Sequence, residues 1–160
     1  FYSASPAADT VAAKSTATAT SSENSNTHPT TDIIELTHAW LDIFPEGNFD
    51  AYPGKISADF TLRLPFLPPG VQGEYTGREN AQTVLQHTAK GRSKLTFYDV
   101  VILRTEDPNL VVTTAKGEAK MSSGKLYQNE FIMLTRFKDG AIIEHVEYLN
   151  PLAVIDSMND

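Results

Sequence analysis

From Lys94 to Leu149 apolar and polar side chains alternate almost without a break. Successive side chains of a strand point to opposite faces, so this period predicts strands. Four are expected, Lys94 to Thr105, Leu110 to Met121, Leu126 to Lys138 and Ala141 to Leu149. Their connections, Glu106-Asp107-Pro108-Asn109, Ser122-Ser123-Gly124-Lys125 and Lys138-Asp139-Gly140, are too short for parallel crossovers, which predicts an antiparallel meander. Upstream the period lengthens. Ile33, Leu36, Ala39, Trp40, Ile43 and Phe44 recur at helical spacing behind a capping pair, Thr31 and Asp32, with Glu35 in the first turn, and the helix should stop at Pro45 to Gly47. Phe60, Leu62, Leu64 and Phe66 alternate as a further strand that ends in Leu67-Pro68-Pro69-Gly70, and Arg78 to Lys90 carries Ala81, Val84, Leu85 and Thr88 at helical spacing before Gly91.

Helices followed by long antiparallel strands define an α+β chain. Strands well beyond the usual ~5–6 residues twist and curl, so the expected architecture is a cone-shaped curved antiparallel sheet packed against N-terminal helices, with a hollow where helices and sheet diverge. The segment 1–30 does not belong to it. Its 7 Ala, 6 Ser and 6 Thr offer too little apolar surface to offset ordering entropy, which predicts a disordered tail and a single domain over 31–160. His28 lies in that tail.

Composition removes several functions. A net charge of -7 with no Lys/Arg cluster leaves no electrostatic basis for nucleic-acid or anionic membrane binding, and no apolar run is long enough to span a bilayer. Without cysteine there is no disulfide, thiolate nucleophile or thiolate metal site. His28, His38, His87 and His145 follow no metal-binding spacing, so no metal and no cofactor is expected, and the glycine-rich phosphate loops and the G-x-S-x-G elbow are missing. The chain begins at Phe1 and carries no signal-like segment, so a soluble protein is expected, cytoplasmic or exported after removal of a signal.

The remaining chemistry is polar groups among apolar ones. On the last strand His145 and Glu147 share a face with Ile143 and Leu149, while Ile142, Glu144, Val146 and Tyr148 share the other. Alternation permits either face to point inward. A carboxyl in a dry hollow is costly to ionise, so its pKa rises toward working pH and it can exchange protons. Glu147 is therefore the candidate general acid/base and His145 its catalytic neighbour, against a surface glutamate and a core histidine. Tyr127, Asn129 and Phe131 share a face of the preceding strand, with Asn129 either contacting a ligand or serving a structural hydrogen bond. Tyr98 is a candidate orienting group, and Trp40 with Phe131 a candidate part of the pocket mouth or of the core. Arg63 is expected to face outward.

Several motifs, taken together, are familiar. L-P-F-L-P-P-G at Leu64 to Gly70, T-G-R-E at Thr76 to Glu79, Y-x-N-x-F at Tyr127 to Phe131 and D-G-A-I-I-E-H-V-E-Y-L-N-P at Asp139 to Pro151 resemble the SnoaL-like branch of the nuclear transport factor 2-like superfamily, and in particular its phenazine biosynthesis A/B proteins. The resemblance spans Thr31 to Val154. It implies a conical α+β barrel, usually a homodimer, that holds a small hydrophobic molecule and acts, where it acts, as an isomerase, cyclase or dehydratase without cofactor. It also implies acid/base work for the acid before the aromatic-x-N-P ending, which is Glu147. The histidine, serine and arginine that relatives place on helices and loops have no motif here to fix their positions. The rival function is a non-catalytic binding or dimeric assembly module of the same fold.

Overall fold

The computed structural model describes residues 32–159. The expected tail, with His28, lies outside the described residues. Helix α1 (Ile33–Ile43) starts where Asp32 accepts the Ile34 amide at 2.7 Å, and it buries Leu36, Thr37, Trp40 and Leu41 on one face. A 3-10 turn, Phe44–Glu46, follows at Pro45 and ends at Gly47, whose φ of 63° a side chain would resist. A Cβ at Gly47 would also lie 2.7 Å from the Gln82 carbonyl, so the glycine lets this turn rest directly on the second helix.

The strands β1 (Lys55–Arg63), β2 (Glu74–Thr76), β3 (Thr96–Arg104), β4 (Leu110–Lys120), β5 (Leu126–Lys138) and β6 (Ala141–Leu149) form one sheet in the order β2-β1-β6-β5-β4-β3. Helix α2 (Arg78–Ala89) lies between β2 and β3, and α3 (Pro151–Met158) closes the described chain. The fold is α+β, as the pattern predicts, and β5 and β6 have the expected limits. Three features differ. First, β1 pairs with β6 in parallel, so the sheet is mixed, because only strands joined by short turns are obliged to be antiparallel. Second, β1 begins at Lys55 and stops at Arg63, leaving Leu64 to Gly73 as a loop. Third, the short β2 and α3 carry too few residues for a readable period.

Two bulges shape the sheet. On edge strand β3, Asp99 takes a φ of 51° and, with Val100, stands against Ala115 alone, held by a 2.9 Å ion pair to Lys116. On β6 the pairs Phe137–Ile142 and Arg136–Glu144 leave Ile143 as an extra residue. Alternation therefore changes phase there. Ile142, not Ile143, shares the inner face with His145 and Glu147, and both Ile142 and His145 are fully buried.

The core fills the space between α1 and the inner face of the sheet. Trp40 is its centre, stacked on Phe44 at 5.4 Å and set edge-on to Tyr52 and Phe60 at 5.6 Å. Gly117 on β4 gives Phe131 room, since a Cβ there would lie 2.8 Å from its ring, and Phe131 in turn meets Phe97 edge-on at 5.3 Å. Among the described residues no helix is long and apolar enough to cross a membrane.

Candidate functional site

Beyond the Trp40 cluster the inner face opens into a cavity of about 350 Å³, within the usual range for small-molecule sites. Leu62, Phe131 and Leu149 of the sheet form one wall, Val84 and Leu85 of α2 another, and Val154 of α3 closes a third. Four ionisable or phenolic groups interrupt this apolar lining, Glu147, Tyr127, Arg92 and Tyr75, and the Tyr75 hydroxyl is already donated to the Gln72 carbonyl at 2.7 Å. A larger depression of about 520 Å³ lies over the outer face beside Phe66, Ile132 and Tyr148, but its charged side chains, Asp99, Lys116 and Glu130, are all exposed. The inner cavity, which shields its polar groups from water, is therefore the candidate site.

Glu147 points inward and is only 8% exposed. Burial pushes its carboxyl up to about 7, against the opposing pull of the Arg92 guanidinium. No described residue hydrogen-bonds to it. Glu144, the other acid of the strand, faces outward between Arg63 at 3.4 Å and Arg136 at 3.7 Å. The choice between the two faces thus falls to Glu147, and Arg63 faces outward as expected. Tyr127 sits on the same wall, its hydroxyl pushed up to about 12 chiefly by burial, with the Glu147 charge adding to the rise. It is therefore a phenol at any ordinary pH.

Arg92 was not legible in the sequence. It follows the helix-ending Gly91 in a run, Arg-Ser-Lys, that reads as exposed loop, and only the folded chain brings it under the 3-10 turn. There its guanidinium bonds Glu46 Oε1 and the Pro45 carbonyl, both at 2.7 Å, and the Ser93 carbonyl at 3.0 Å. Its side chain is 8% exposed, so the Glu46 pair is largely shielded from water.

Four of the expected site residues lie elsewhere. His145 is fully buried below the cavity, between Trp40 and a Phe44 ring 4.5 Å away, and does not line it. Its Nδ1 is taken by Trp40 at 3.2 Å and Thr135 at 3.0 Å, and burial lowers its pKa to about 3, so it is a neutral core histidine. Trp40 is core for the same reason. Tyr98, 38% exposed, stands on β3 before the bulge and faces a shallow surface hollow of about 420 Å³. Asn129 is buried, but its hydrogen bonds go to Tyr127, to the Glu130 amide and to the backbone of Asn150 at the start of α3, not into the cavity. Tyr127, Phe131 and Glu147 do come together in the cavity lining. His38 and His87 are exposed, and among the described residues no group of three histidine or carboxylate side chains could hold a metal.

A curved sheet and helices thus form an α+β cone around an apolar hollow into which one carboxyl points. Residues 37–145 match the model of the SnoaL-like domain, and the chain belongs to that family. An uncharacterised PhzA/B-like protein of Pseudomonas aeruginosa is 32% identical over 124 residues, covering 74% of this chain and 76% of its own. Among solved structures, a phenazine biosynthesis-related protein of Pseudomonas aeruginosa superposes with a TM-score of 0.66 at 16% identity, covering 79% of this chain and 84% of that one. A pinacolase of Penicillium brevicompactum gives 0.64 at 16% identity over 78% and 90% of the two chains. At such identities the likeness is one of fold. The resemblance drawn from the sequence motifs is thereby borne out, and the family is one of ligand-binding or catalytic proteins.

Proposed function

We propose that the chain binds a small, largely apolar molecule in the inner cavity and performs acid/base chemistry on it without a cofactor, as an isomerase, cyclase or dehydratase, with Glu147 as the proton-transfer group. The observation that carries this is a carboxyl with no protein partner in an apolar hollow, where its acidity is moved close to neutral. An ordinary structural glutamate this deep would be paired or hydrogen-bonded. Tyr127 supplies a neutral donor beside it, and Arg92, already held by Glu46, supplies a fixed positive field. The whole set needs no metal.

The test is Glu147→Gln, which keeps shape and hydrogen-bonding capacity but removes proton exchange. With a substrate in hand, found by native mass spectrometry of protein from its own source, turnover should fall about 10²–10⁴-fold with binding nearly intact. Unchanged kcat would remove Glu147 from the mechanism. Binding without turnover, in wild type as well, would favour the non-catalytic binding module, which gains some support from His145 and Asn129 being committed to the fold. A homodimer through the outer face of the sheet is part of the proposal.

A further inference from the structure

Asn129 and Tyr127 are two residues apart on β5 and point the same way. Every hydrogen-bonding valence of the Asn129 amide is occupied. Oδ1 accepts the backbone N–H of Glu130 and of Asn150, each at 2.9 Å, while Nδ2 donates to the Asn150 carbonyl at 3.0 Å and to the Tyr127 hydroxyl at 2.9 Å. The backbone groups fix which end is which. An N–H can only donate and a carbonyl can only accept, so turning the amide over would set two N–H groups against an –NH₂ and oppose two oxygens.

The need for this amide comes from Pro151. Proline has no N–H, and β6 stops there, leaving the peptide groups of Asn150 without a ladder partner. Asn129 takes both of them, and Asn150 in turn accepts the Leu152 amide at 3.0 Å to cap α3. A second consequence falls on Tyr127. Its oxygen receives a proton from Asn129 and cannot return one to a donor nitrogen, so its own single proton must go elsewhere. No described group of the protein accepts it, and the side chain lines the cavity.

We propose that Asn129 is a positioning residue for ligand recognition, which makes Tyr127 an obligate donor into the cavity and so selects molecules that present a carbonyl or ether oxygen at that point over hydrocarbons of the same shape. This rests on the inner cavity being a ligand site. Asn129 itself never touches the ligand.

The experiment compares 1-indanone with indane, the same skeleton with and without the acceptor, by calorimetric or NMR titration of the full chain. Wild type should prefer the ketone about five- to tenfold, the worth of one net hydrogen bond. Asn129→Asp keeps the shape and still accepts both backbone N–H groups; its second oxygen loses the bond to the Asn150 carbonyl and faces that oxygen, at a cost in stability, and takes the Tyr127 proton away from the cavity. Tyr127→Phe removes the donor and leaves Asn129 alone. In both variants the ratio of ketone to indane affinity should fall to about one, whereas a merely structural role would weaken both probes together and leave the ratio as in wild type. If Asn129→Asp keeps the preference that Tyr127→Phe abolishes, Asn129 does not set the proton and the inference is wrong. Equal affinity of wild type for the two probes also overturns it while leaving the cavity reading intact, whereas no binding of either probe removes the cavity reading and this inference with it. Should Asn129→Asp not fold, wild type alone decides. On adding 1-indanone the ¹³Cζ signal of Tyr127 should move and the Asn129 side-chain amide signals should not, and movement at Asn129 alone means direct contact and the opposite conclusion.

Discussion

Trp40 donates its indole N–H to Nδ1 of His145 at 3.2 Å, tying α1 to β6 through the middle of the core. An indole can only donate, so Nδ1 must be bare and the histidine proton resides on Nε2, which is buried without a partner. Burial lowers the His145 pKa from 6.5 to about 3, and the sign of the linkage follows. The unfolded chain takes up a proton near 6.5 that the folded chain refuses, so this contribution to stability is present above 6.5 and is lost as the pH falls toward 3. His145 should remain neutral with its proton on Nε2 from about pH 8 to about pH 4, readable from ¹⁵N shifts of the imidazole, since desolvation disfavours the cation. Trp40→Phe keeps the ring packing but loses the donor and should cost about 1–3 kcal/mol in urea unfolding. A His145 titrating near 6.5 would show instead that water reaches it.

Glu147 titrates with the opposite sign. Its ordinary value is 4.5 and burial lifts it to about 7, so in between the folded chain holds a proton that the unfolded chain has released. Stability from this source is complete below 4.5 and is lost as the pH rises through 7. Glu147→Gln has no charge to bury. Its stability relative to wild type should therefore grow across that window by up to about 3 kcal/mol, less in proportion to the water that fills the cavity, and then level off. Urea unfolding of both proteins at several pH values measures the difference directly. A difference that does not vary with pH would mean that Glu147 ionises as a surface acid does.

These two residues show how far the sequence could be read. The long alternating strands from β3 to β6 and the two helices before them were legible because their periods run over many residues and their turns are short. The face of β6 that lies inside was not, since the bulge at Ile143 shifts the phase and alternation can be counted correctly only on one side of it. His145 and Glu147 share a face as expected, yet one is closed under Phe44 and Trp40 and the other opens into the cavity, a distinction set by helices more than 100 residues away in sequence. Asn129 stood open between a ligand contact and a structural hydrogen bond because a buried amide needs partners, and its partners are the Tyr127 hydroxyl, the Glu130 amide and the peptide groups of Asn150. Arg92 had no pattern at all.

Arg92 sets a further prediction. It is the cation nearest in effect to Glu147, and Glu46 balances it at 2.7 Å. Arg92→Gln removes a positive charge from beside the carboxyl, so the Glu147 pKa should rise further, visible as an upward shift in its side-chain ¹³C carboxyl titration. Because the Glu46 side chain is 28% exposed, it can be rehydrated, and the stability loss should stay on the order of 1–3 kcal/mol rather than the larger cost of stranding a fully buried ion. A Glu147 titration that does not move in Arg92→Gln would show that the guanidinium field does not reach it.

The outer face of the sheet carries the last one. Val101, Leu103 and Ile132 are about half exposed there, with Thr114 and Tyr148 between and beside them in register. Ion pairs border this apolar patch, Lys116 with Asp99 on one side and Arg136 and Arg63 with Glu144 on the other, an apolar centre within a polar rim as subunit contacts have. A second copy of the chain, packed face to face, would bury it. Wild type should then sediment as a dimer at about 10 µM, and Ile132→Asp, which puts a charge at the centre, as a monomer, because an unpaired charge is strongly disfavoured in a desolvated contact. Ile132 stands on the face opposite the cavity, so the monomer should keep the pH response assigned to Glu147. Wild type sedimenting as a monomer would end the dimer proposal, and loss of the Glu147 response in Ile132→Asp would mean that the cavity needs the second subunit to stay dry.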